Sequence, residues 1–224
     1  MDFLNLTNNQ MFWGDYQSVL FEHLNLTQTF YKHHVENNTN IHSKLYSSDT
    51  ILKSRETYID TGKSFIYNNI IYPKTGSNLP CLGIDLMAFM EKKVIIVFDF
   101  QHPKDHYEYH HSILDDNMSE YLDITKDIRF FEAGNHFSRY VYVKKCTMSE
   151  VSNYLTDFSQ YVRVFAELLD HHRPTGSDES EYCVFDQYML QLDPVSGFME
   201  SNFGKEFAEH YVHDFLFPYA KLPL

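Results

Sequence analysis

The sequence is poor in the patterns that build metal sites and disulfide frameworks. It has three cysteines among 224 residues, an odd number without Cys-x-x-Cys spacing, which argues against a disulfide framework, a zinc site or an iron–sulfur cluster. The 13 histidines include no His-Glu-x-x-His motif. Gly-rich phosphate loops and a complete nucleophile elbow are also missing. We therefore expect no resident metal and no phosphate-loop chemistry.

Long apolar runs and net positive charge are missing too. No apolar run approaches the roughly 18 residues that a membrane helix needs, so we expect no membrane span. The formal net charge is −13. A nucleic acid is therefore not expected as the main partner, because phosphate binding requires a basic surface.

Aromatic residues, by contrast, are abundant. The chain has 19 Phe and 17 Tyr but a single Trp, and aromatics make up 17% of it. So many rings either fill a core or surround a flat, π-rich ligand, and composition alone leaves both interpretations open. The length fits one domain, which we expect to span residues 1–224.

Strand patterns dominate the middle of the chain and helical patterns its last third. The predicted strands are Ser64–Tyr72, Leu82–Phe89, Lys93–Gln101 and His136–Cys146. The short charged connection at 91–93 predicts an antiparallel hairpin. The run Val94–Phe98 is apolar on both faces, as expected of a central strand covered by helices on both sides.

Four helices are predicted around this sheet. One covers about Phe12–Leu20, and another begins at the capping box Thr147–Glu150 and ends near Arg173. The last two cover about Glu179–Leu192 and Ser196–Phe215, whereas residues 33–49 are predicted to be a loop or an irregular edge. This order predicts an α+β fold, a three-layer α/β/α sandwich with a central antiparallel sheet.

One carboxylate interrupts an apolar strand pattern. Asp85 lies in the middle of Leu82–Phe89, where an ionised carboxylate is costly to bury. Desolvation would raise its pKa and keep it protonated near neutral pH unless a cation lies beside it. A proton held in an apolar site suits a general acid. A structural aspartate at a strand end, or paired with an arginine, fits the same pattern, so both interpretations stay open.

Three more polar residues stand out for their positions. Asn68 lies between apolar residues of a strand and needs hydrogen-bond partners, of which a ligand is one. Asp99 lies near a strand end, before His102-Pro103, and is predicted to be structural. Asp193, just before Pro194, has the pattern of a helix-boundary residue.

Several blocks of the sequence closely resemble the ferredoxin-dependent bilin reductases. They are NNIIYPKTGSNLPCLGIDLM at 68–87, KVIIVFDFQHP at 93–103, FFEAGNHFS at 130–138 and Leu-Asp-Pro at 192–194. Their order and spacing match those of the family over most of the chain beyond about residue 50. Within the family, the chain is most similar to the phycoerythrobilin-forming, cyanophage branch.

The resemblance implies a bilin pocket between the sheet and the C-terminal helices. It further implies a four-electron reduction of biliverdin IXα, through 15,16-dihydrobiliverdin and protein-bound radicals, to 3Z-phycoerythrobilin. Electrons would come from a reduced 2Fe–2S ferredoxin, with no cofactor bound to the chain itself and with heme oxygenase as a candidate substrate donor. A two-electron reductase that stops at 15,16-dihydrobiliverdin and a non-catalytic bilin carrier are the alternatives. We expect a cytoplasmic monomer, located in the host cytoplasm if the gene is phage-borne.

The resemblance also assigns roles to individual residues. Asp85 matches the central-strand acid, and Asp193 matches a second acid on the helical side. Asn68 replaces a histidine of the phycocyanobilin-forming branch, whereas Glu56 matches a glutamate of that branch only loosely and is expected to be structural. The substrate-binding candidates are Asn68, Phe137, Ser138, Arg139 and Lys144. Arg139, Lys144 and Lys145 are the candidate propionate ligands, and Lys144 matches the family position best.

The acidic charge of the chain conflicts with a ferredoxin partner. Plant-type ferredoxins are acidic, so the two net charges would oppose docking at long range. The resemblance therefore requires a local basic patch. The candidate residues are Lys53, Arg55, Lys63, Lys74, Lys92 and Lys93.

Overall fold

Seven antiparallel strands form a single sheet in which each strand pairs with its neighbours in sequence. The computed structural model describes residues 13–90, 92–105, 108–121, 137–191 and 195–222. The strands are β1 Thr27–Glu36, β2 Thr39–Ser47, β3 Ile51–Asp60, β4 Ser64–Pro73, β5 Cys81–Phe89, β6 Lys93–Gln101 and β7 Tyr142–Cys146. The predicted antiparallel hairpin is β5–β6, which pairs Phe89 with Lys93.

Helices cover both faces of this sheet. They are α1 Gly14–Leu24, α2 Ser112–Met118, α3 Leu155–His172, α4 Cys183–Gln191, α5 Val195–Phe203 and α6 Lys205–His210. A π-type turn, Tyr211–Leu216, and a 3₁₀ turn, Pro218–Lys221, follow α6. Within the described ranges, none of the helices combines the length and apolar character needed to cross a bilayer.

The first face of the sheet carries the main core, and we call it the core face. Its strand residues, such as Ile84, Ile96 and Phe98, are completely buried. They pack against aromatic side chains of α1 and α3, including Tyr16 and Phe158. Full burial of side chains of this size contributes roughly 1.5–3 kcal/mol each, so this face holds the layers together.

The capping box predicted at the start of α3 is present. The Thr147 backbone N–H donates to Glu150 Oε2 at 2.8 Å, and a 3₁₀ turn, Met148–Tyr154, leads into α3. The helix ends where Arg173 turns into the left-handed region at φ 46°. The C-terminal end of the helix therefore lies where the local sequence predicts it, whereas the α-helix itself begins only at Leu155, after the 3₁₀ turn that follows the capping box.

The second face carries Asp85, and we call it the acid face. The helices α4, α5 and α6 and the turns that follow them pack on this face in two apolar clusters, and a third cluster lies on its β6–β7 side. One cluster joins Tyr72 to Phe185, and another joins Ile59 to Met199. The third packs Phe137 against Val97. With helices on both faces, the fold is the predicted three-layer α/β/α sandwich.

Three predicted elements differ in the structure. Residues 33–49 belong to the β1–β2 hairpin, whose turn places Asn37 and Asn38 at φ 49° and 61°. Asparagine tolerates these left-handed angles, so the pair forms a tight turn. The helix predicted at Ser196–Phe215 is divided at Gly204, with φ 82°. The strand predicted at His136–Cys146 is regular only over Tyr142–Cys146, and residue 136 lies outside the described residues.

Candidate active site

Three adjacent strands bring a cation, an amide and an acid together on the acid face. Asn68 of β4 is directly opposite Asp85 of β5, and Thr57 of β3 is directly opposite Asn68. Arg55 lies two residues before Thr57 and therefore points to the same face. The β3–β4–β5 register thus aligns these three side chains across the centre of the sheet.

The strand that carries Asp85 is buried on one face and partly open on the other. Leu82, Ile84, Leu86 and Ala88, on the core face, are completely buried. The alternating residues Gly83, Asp85, Met87 and Phe89 are partly exposed. A central strand has this pattern where the helical layer does not cover it completely. Asp85 therefore lies on a partly exposed strip of the acid face, and we call the space above this strip the cleft.

A short hydrogen-bond chain connects the three polar side chains. Arg55 Nη1 donates to Asn68 Oδ1 at 2.9 Å, and Asn68 Nδ2 donates to Asp85 Oδ1 at 2.7 Å. Burial raises the pKa of Asp85 above its ordinary value, while the Asn68 hydrogen bond and the Arg55 charge lower it. Because burial is the largest of these effects, the carboxyl holds its proton more tightly than an exposed aspartate.

Apolar side chains form the wall of the cleft on its β6–β7 side. Val97 is directly opposite Asp85 and packs in a cluster with Val141 and Val143. Met87 and Phe137, both partly exposed, pack against the same cluster. The structure therefore places Phe137, a predicted substrate-binding residue, on the same face as Asp85 and Asn68.

Ser138, the next predicted substrate-binding residue, is engaged elsewhere. Its backbone N–H donates to Asp99 Oδ2 at 2.9 Å, and its hydroxyl donates to Asp99 Oδ1. The same hydroxyl accepts from the Tyr140 N–H at 2.9 Å. Burial raises the pKa of Asp99 to about 7. This buried pair connects β6 to the segment before β7, which gives Asp99 the structural role predicted for it.

Removing the Ser138 hydroxyl is expected to lower stability without changing biliverdin affinity. A Ser138→Ala variant leaves Asp99 with an unsatisfied oxygen, which typically costs about 1–3 kcal/mol in the free energy of unfolding. Denaturant titration measures this loss, and absorbance titration measures the affinity. Ser180→Ala is the matched control, because Ser180 also donates to an aspartate, Asp178, but on the exposed surface. A loss of biliverdin affinity in Ser138→Ala at unchanged stability would instead indicate a substrate contact.

The three predicted propionate ligands lie in different places. Lys144 is directly opposite Ile96, on the core face, and its Nζ lies 5.6 Å from the centre of the Tyr142 ring. Arg139 Nη1 is 3.3 Å from Nδ1 of His110. Lys145 is directly opposite Ile95 and points to the acid face. The strand parity therefore brings Lys145, not Lys144, to the side of the cleft.

The structure describes Glu56 but not Asp193. Glu56 points to the core face, where it pairs with Lys44 at 2.9 Å and accepts from Gln17 of α1 at 2.7 Å. These contacts give Glu56 the structural role predicted for it. Asp193 lies outside the described residues, so its role as a second acid stays a prediction.

The basic patch predicted for ferredoxin docking is only partly at the surface. Lys53 and Arg55 are 8% and 2% exposed, which excludes both from a docking surface. Lys63, Lys92 and Lys93 are exposed at one end of the sheet, where the Met90 N–H donates to the Lys63 carbonyl at 2.6 Å. We call these three lysines, together with Met90, the lysine edge.

Arg55 is the site residue that the sequence interpretation placed wrongly. It was a candidate for the basic patch expected at the surface. The available signal was its spacing: Lys53, Arg55 and Thr57 alternate with Ser54 and Glu56, so a strand sends the two cations to one face. That face becomes buried only because Phe217 and Tyr211, far along the chain, cover it.

Comparison with known proteins identifies the family of this chain. The family model described as ferredoxin-dependent bilin reductase matches residues 16–218. A 15,16-dihydrobiliverdin:ferredoxin oxidoreductase of Nostoc punctiforme is 32% identical over 194 residues, which cover 81% of this chain and 80% of the relative. A protein of the same name from Gloeobacter violaceus is 33% identical, with 80% and 79% covered.

The fold is also that of a solved structure. Phytochromobilin synthase from tomato, crystallised in complex with biliverdin, superposes with a TM-score of 0.74 at 16% identity, over 95% of this chain and 85% of that chain. The likeness to this structure concerns the fold. The family match extends over nearly the whole chain and includes the strands that carry Arg55, Asn68 and Asp85. The chain therefore belongs to the ferredoxin-dependent bilin reductases and is a ferredoxin-dependent bilin oxidoreductase.

Proposed function

We propose that this chain reduces biliverdin IXα in two successive two-electron steps. The first saturates the 15,16 double bond and yields 15,16-dihydrobiliverdin. The second acts on the A-ring diene system and yields 3Z-phycoerythrobilin. Each step takes two electrons from reduced ferredoxin and two protons, so that charge and atoms balance.

The observation that carries this proposal is the Asp85 carboxyl on the floor of the cleft. Its pKa is raised by burial, and one of its oxygens is fixed by Asn68. A reduced bilin is more basic than the oxidised one, so a carboxyl whose pKa is raised above its ordinary value is a suitable donor. A carrier needs no such group. The site chemistry therefore favours a reductase over a non-catalytic bilin carrier.

The two steps have different support. The first is supported by the relatives named 15,16-dihydrobiliverdin:ferredoxin oxidoreductase, which are about one third identical to this chain. The second rests on the resemblance of residues 68–87 to the phycoerythrobilin-forming branch and on Asp193 as a second acid. A two-electron enzyme that stops at 15,16-dihydrobiliverdin is the alternative that the same relatives favour.

Anaerobic turnover of biliverdin with reduced ferredoxin tests the proposal. We expect 15,16-dihydrobiliverdin to form first and then to be consumed, with 3Z-phycoerythrobilin as the final product in absorbance spectra and HPLC. Accumulation of 15,16-dihydrobiliverdin alone would contradict the second step. Stoichiometric binding of biliverdin without any reduction would show a carrier and contradict the proposal as a whole.

Replacing Asp193 is expected to separate the two steps. An Asp193→Asn variant loses the second acid but keeps Asp85, so the first reduction should proceed and the second should slow. The measured result is accumulation of 15,16-dihydrobiliverdin, with a loss in the second step of about 10² to 10⁴. Equal slowing of both steps would show that Asp193 does not act on the A-ring step in particular.

A further inference from the structure

A buried cation lies beside the proposed proton donor, and no carboxylate of the described residues is in hydrogen-bond contact with this cation. Arg55 is 2% exposed, its Nη1 donates to the amide oxygen of Asn68 at 2.9 Å, and its Nε has no hydrogen-bond partner among the described residues. Its Cζ lies 5.6 Å from the centre of the Phe217 ring. Burying a guanidinium in this way is costly, and an apolar side chain of similar volume would hold the layers together at least as well.

The Arg55 hydrogen bond determines which end of the Asn68 amide faces the acid. A guanidinium offers only donors, so Asn68 must turn its oxygen towards Arg55. The NH₂ end is then directed at Asp85 Oδ1, 2.7 Å away. Without Arg55, the amide is free to rotate and to present its oxygen to the carboxyl instead. The guanidinium therefore orients Asp85 through Asn68.

We infer that Arg55 is a positioning residue of the reductase, which orients the proton donor through Asn68 and supplies a fixed positive charge as electrons enter the bilin. A cation in a site of low dielectric stabilises developing negative charge more strongly than the same cation in water. This inference rests on the proposed function, because it assigns a role in the reduction of a bilin above Asp85.

The same geometry gives the inference a pH signature. Burial raises the pKa of Asp85, and Asn68 and Arg55 are the groups that lower it. Other charged or titratable groups on this face and on the elements packed against it are Lys53, Lys93, Asp99, Lys145, Asp186 and Tyr211. Removing the Arg55 charge raises the pKa of Asp85 further. A general acid is active only while it is protonated. The alkaline limb of the pH–rate profile, where activity falls, should therefore move to higher pH.

Arg55→Met and Arg55→Lys variants test the inference. For Arg55→Met we expect retained biliverdin binding, a lower turnover rate, a more negative midpoint potential of the bound bilin, and an alkaline limb raised by about one pH unit or more. Arg55→Lys keeps the charge but not the fork-shaped donor, so it should keep the potential and shift the limb less. It also serves as the test if Arg55→Met does not fold.

Lys53→Met is the matched control. Lys53 is a buried amine two residues away on the same face of β3, and burial lowers its pKa to about 7. Its Nζ lies 3.7 Å from the centre of the Tyr219 ring, and it makes no hydrogen bond to Asn68. We expect the Lys53→Met variant to have the same alkaline limb of the pH–rate profile and the same midpoint potential of the bound bilin as the wild type.

The outcomes separate the inference from the proposed function. If the wild type reduces biliverdin but Arg55→Met and Arg55→Lys leave both the pH limb and the potential unchanged, the inference is wrong and the function stands. Equal shifts of the pH limb and of the bilin potential in Lys53→Met would also contradict the inference. Any buried basic side chain on this face would then have the same effect as Arg55. If the wild type does not reduce biliverdin, the proposed function itself fails. An Asn68→Leu background should reduce the effect of Arg55→Met, because part of the coupling passes through the amide.

Discussion

Replacing Asp85 with asparagine is expected to leave biliverdin binding intact and to slow its reduction by about 10² to 10⁴. Asparagine has nearly the same shape and can accept the Asn68 hydrogen bond, but it has no proton to donate. Electrons should still enter the bilin, so a bilin radical is expected to persist. Absorbance titration measures binding, HPLC measures turnover, and EPR detects the radical.

Glu56→Gln is the control for this experiment. Glu56 is a buried carboxylate of the same sheet, 2% exposed, but it points to the core face and pairs with Lys44. Its loss should lower the thermal midpoint without changing the catalytic rate or leaving a radical. Normal turnover of biliverdin by Asp85→Asn would show that the carboxyl has been given the wrong role.

The same substitution has a predictable effect on stability. Burial raises the pKa of Asp85 in the folded protein, so the folded state binds the proton more tightly than the unfolded state. The stabilisation from this proton is complete below the pKa of the unfolded chain and is lost as pH rises through the higher folded-state pKa. The Asp85→Asn variant has no titrating group at this position, so its stability does not fall with pH in this way. Its thermal midpoint relative to that of the wild type should therefore rise with pH.

Reversing the charge of the lysine edge is expected to weaken ferredoxin association without affecting the bilin site. Lys63 and Lys92 are exposed on turns that meet where the Met90 N–H donates to Lys63. Neither forms an ion pair among the described residues. Met90 is 68% exposed, so the edge offers an apolar contact surrounded by cations. An acidic partner fits this surface although the formal net charge of the whole chain is −13.

The position of the edge is also suitable for electron delivery. Lys93 is directly opposite Phe89, which lies four residues from Asp85 along β5, or about 13 Å at the usual strand rise. A donor docked on the edge would therefore approach the end of the cleft. Redox partners form small, transient interfaces, and a few charges are enough to steer them.

A Lys63→Glu/Lys92→Glu double variant measures this steering. At low salt we expect the KM for ferredoxin to rise on the order of tenfold or more, with kcat at saturating ferredoxin and biliverdin affinity unchanged. In the wild type, association should slow as ionic strength rises, and the double variant should show a weaker dependence.

Lys104→Glu provides a matched control for the lysine edge. Lys104 is an exposed lysine just beyond the opposite end of β6, so its reversal changes the net charge without touching the edge. Association rates that increase with salt, or equal effects of the Lys104 and edge variants, would show that ferredoxin docks elsewhere.

Strand periodicity alone singled out Asp85 and Asn68, because each is a polar residue within an apolar strand. That the two side chains lie directly opposite each other follows only from the register of β4 with β5. Lys144 shows the limit of the same reasoning. β7 is only five residues long, and its alternation is compatible with either face until its register with β6 is known. A shift of one residue exchanges Lys144 and Lys145.

Other features depend on contacts between distant parts of the chain. Whether Arg55 is exposed or buried depends on Phe217, which is more than 160 positions away in the printed sequence. Likewise, Ser138 has a sequence context typical of the bilin reductases, but its hydroxyl is used by Asp99 of another strand. Local propensity contains no information on such pairings, whereas burial and hydrogen-bond satisfaction in the folded chain decide them.

The strands lie in the sheet in the same order as in the sequence, and this order affects how the site forms during folding. Arg55, Asn68 and Asp85 belong to three successive strands, so closing two short connections is enough to align them. Contacts between near neighbours in sequence form at low entropic cost. The hydrogen-bonded floor formed by Arg55, Asn68 and Asp85 can thus form before the C-terminal helices pack over it. Changes in those helices could then alter which bilin fits while the proton-handling floor is inherited unchanged.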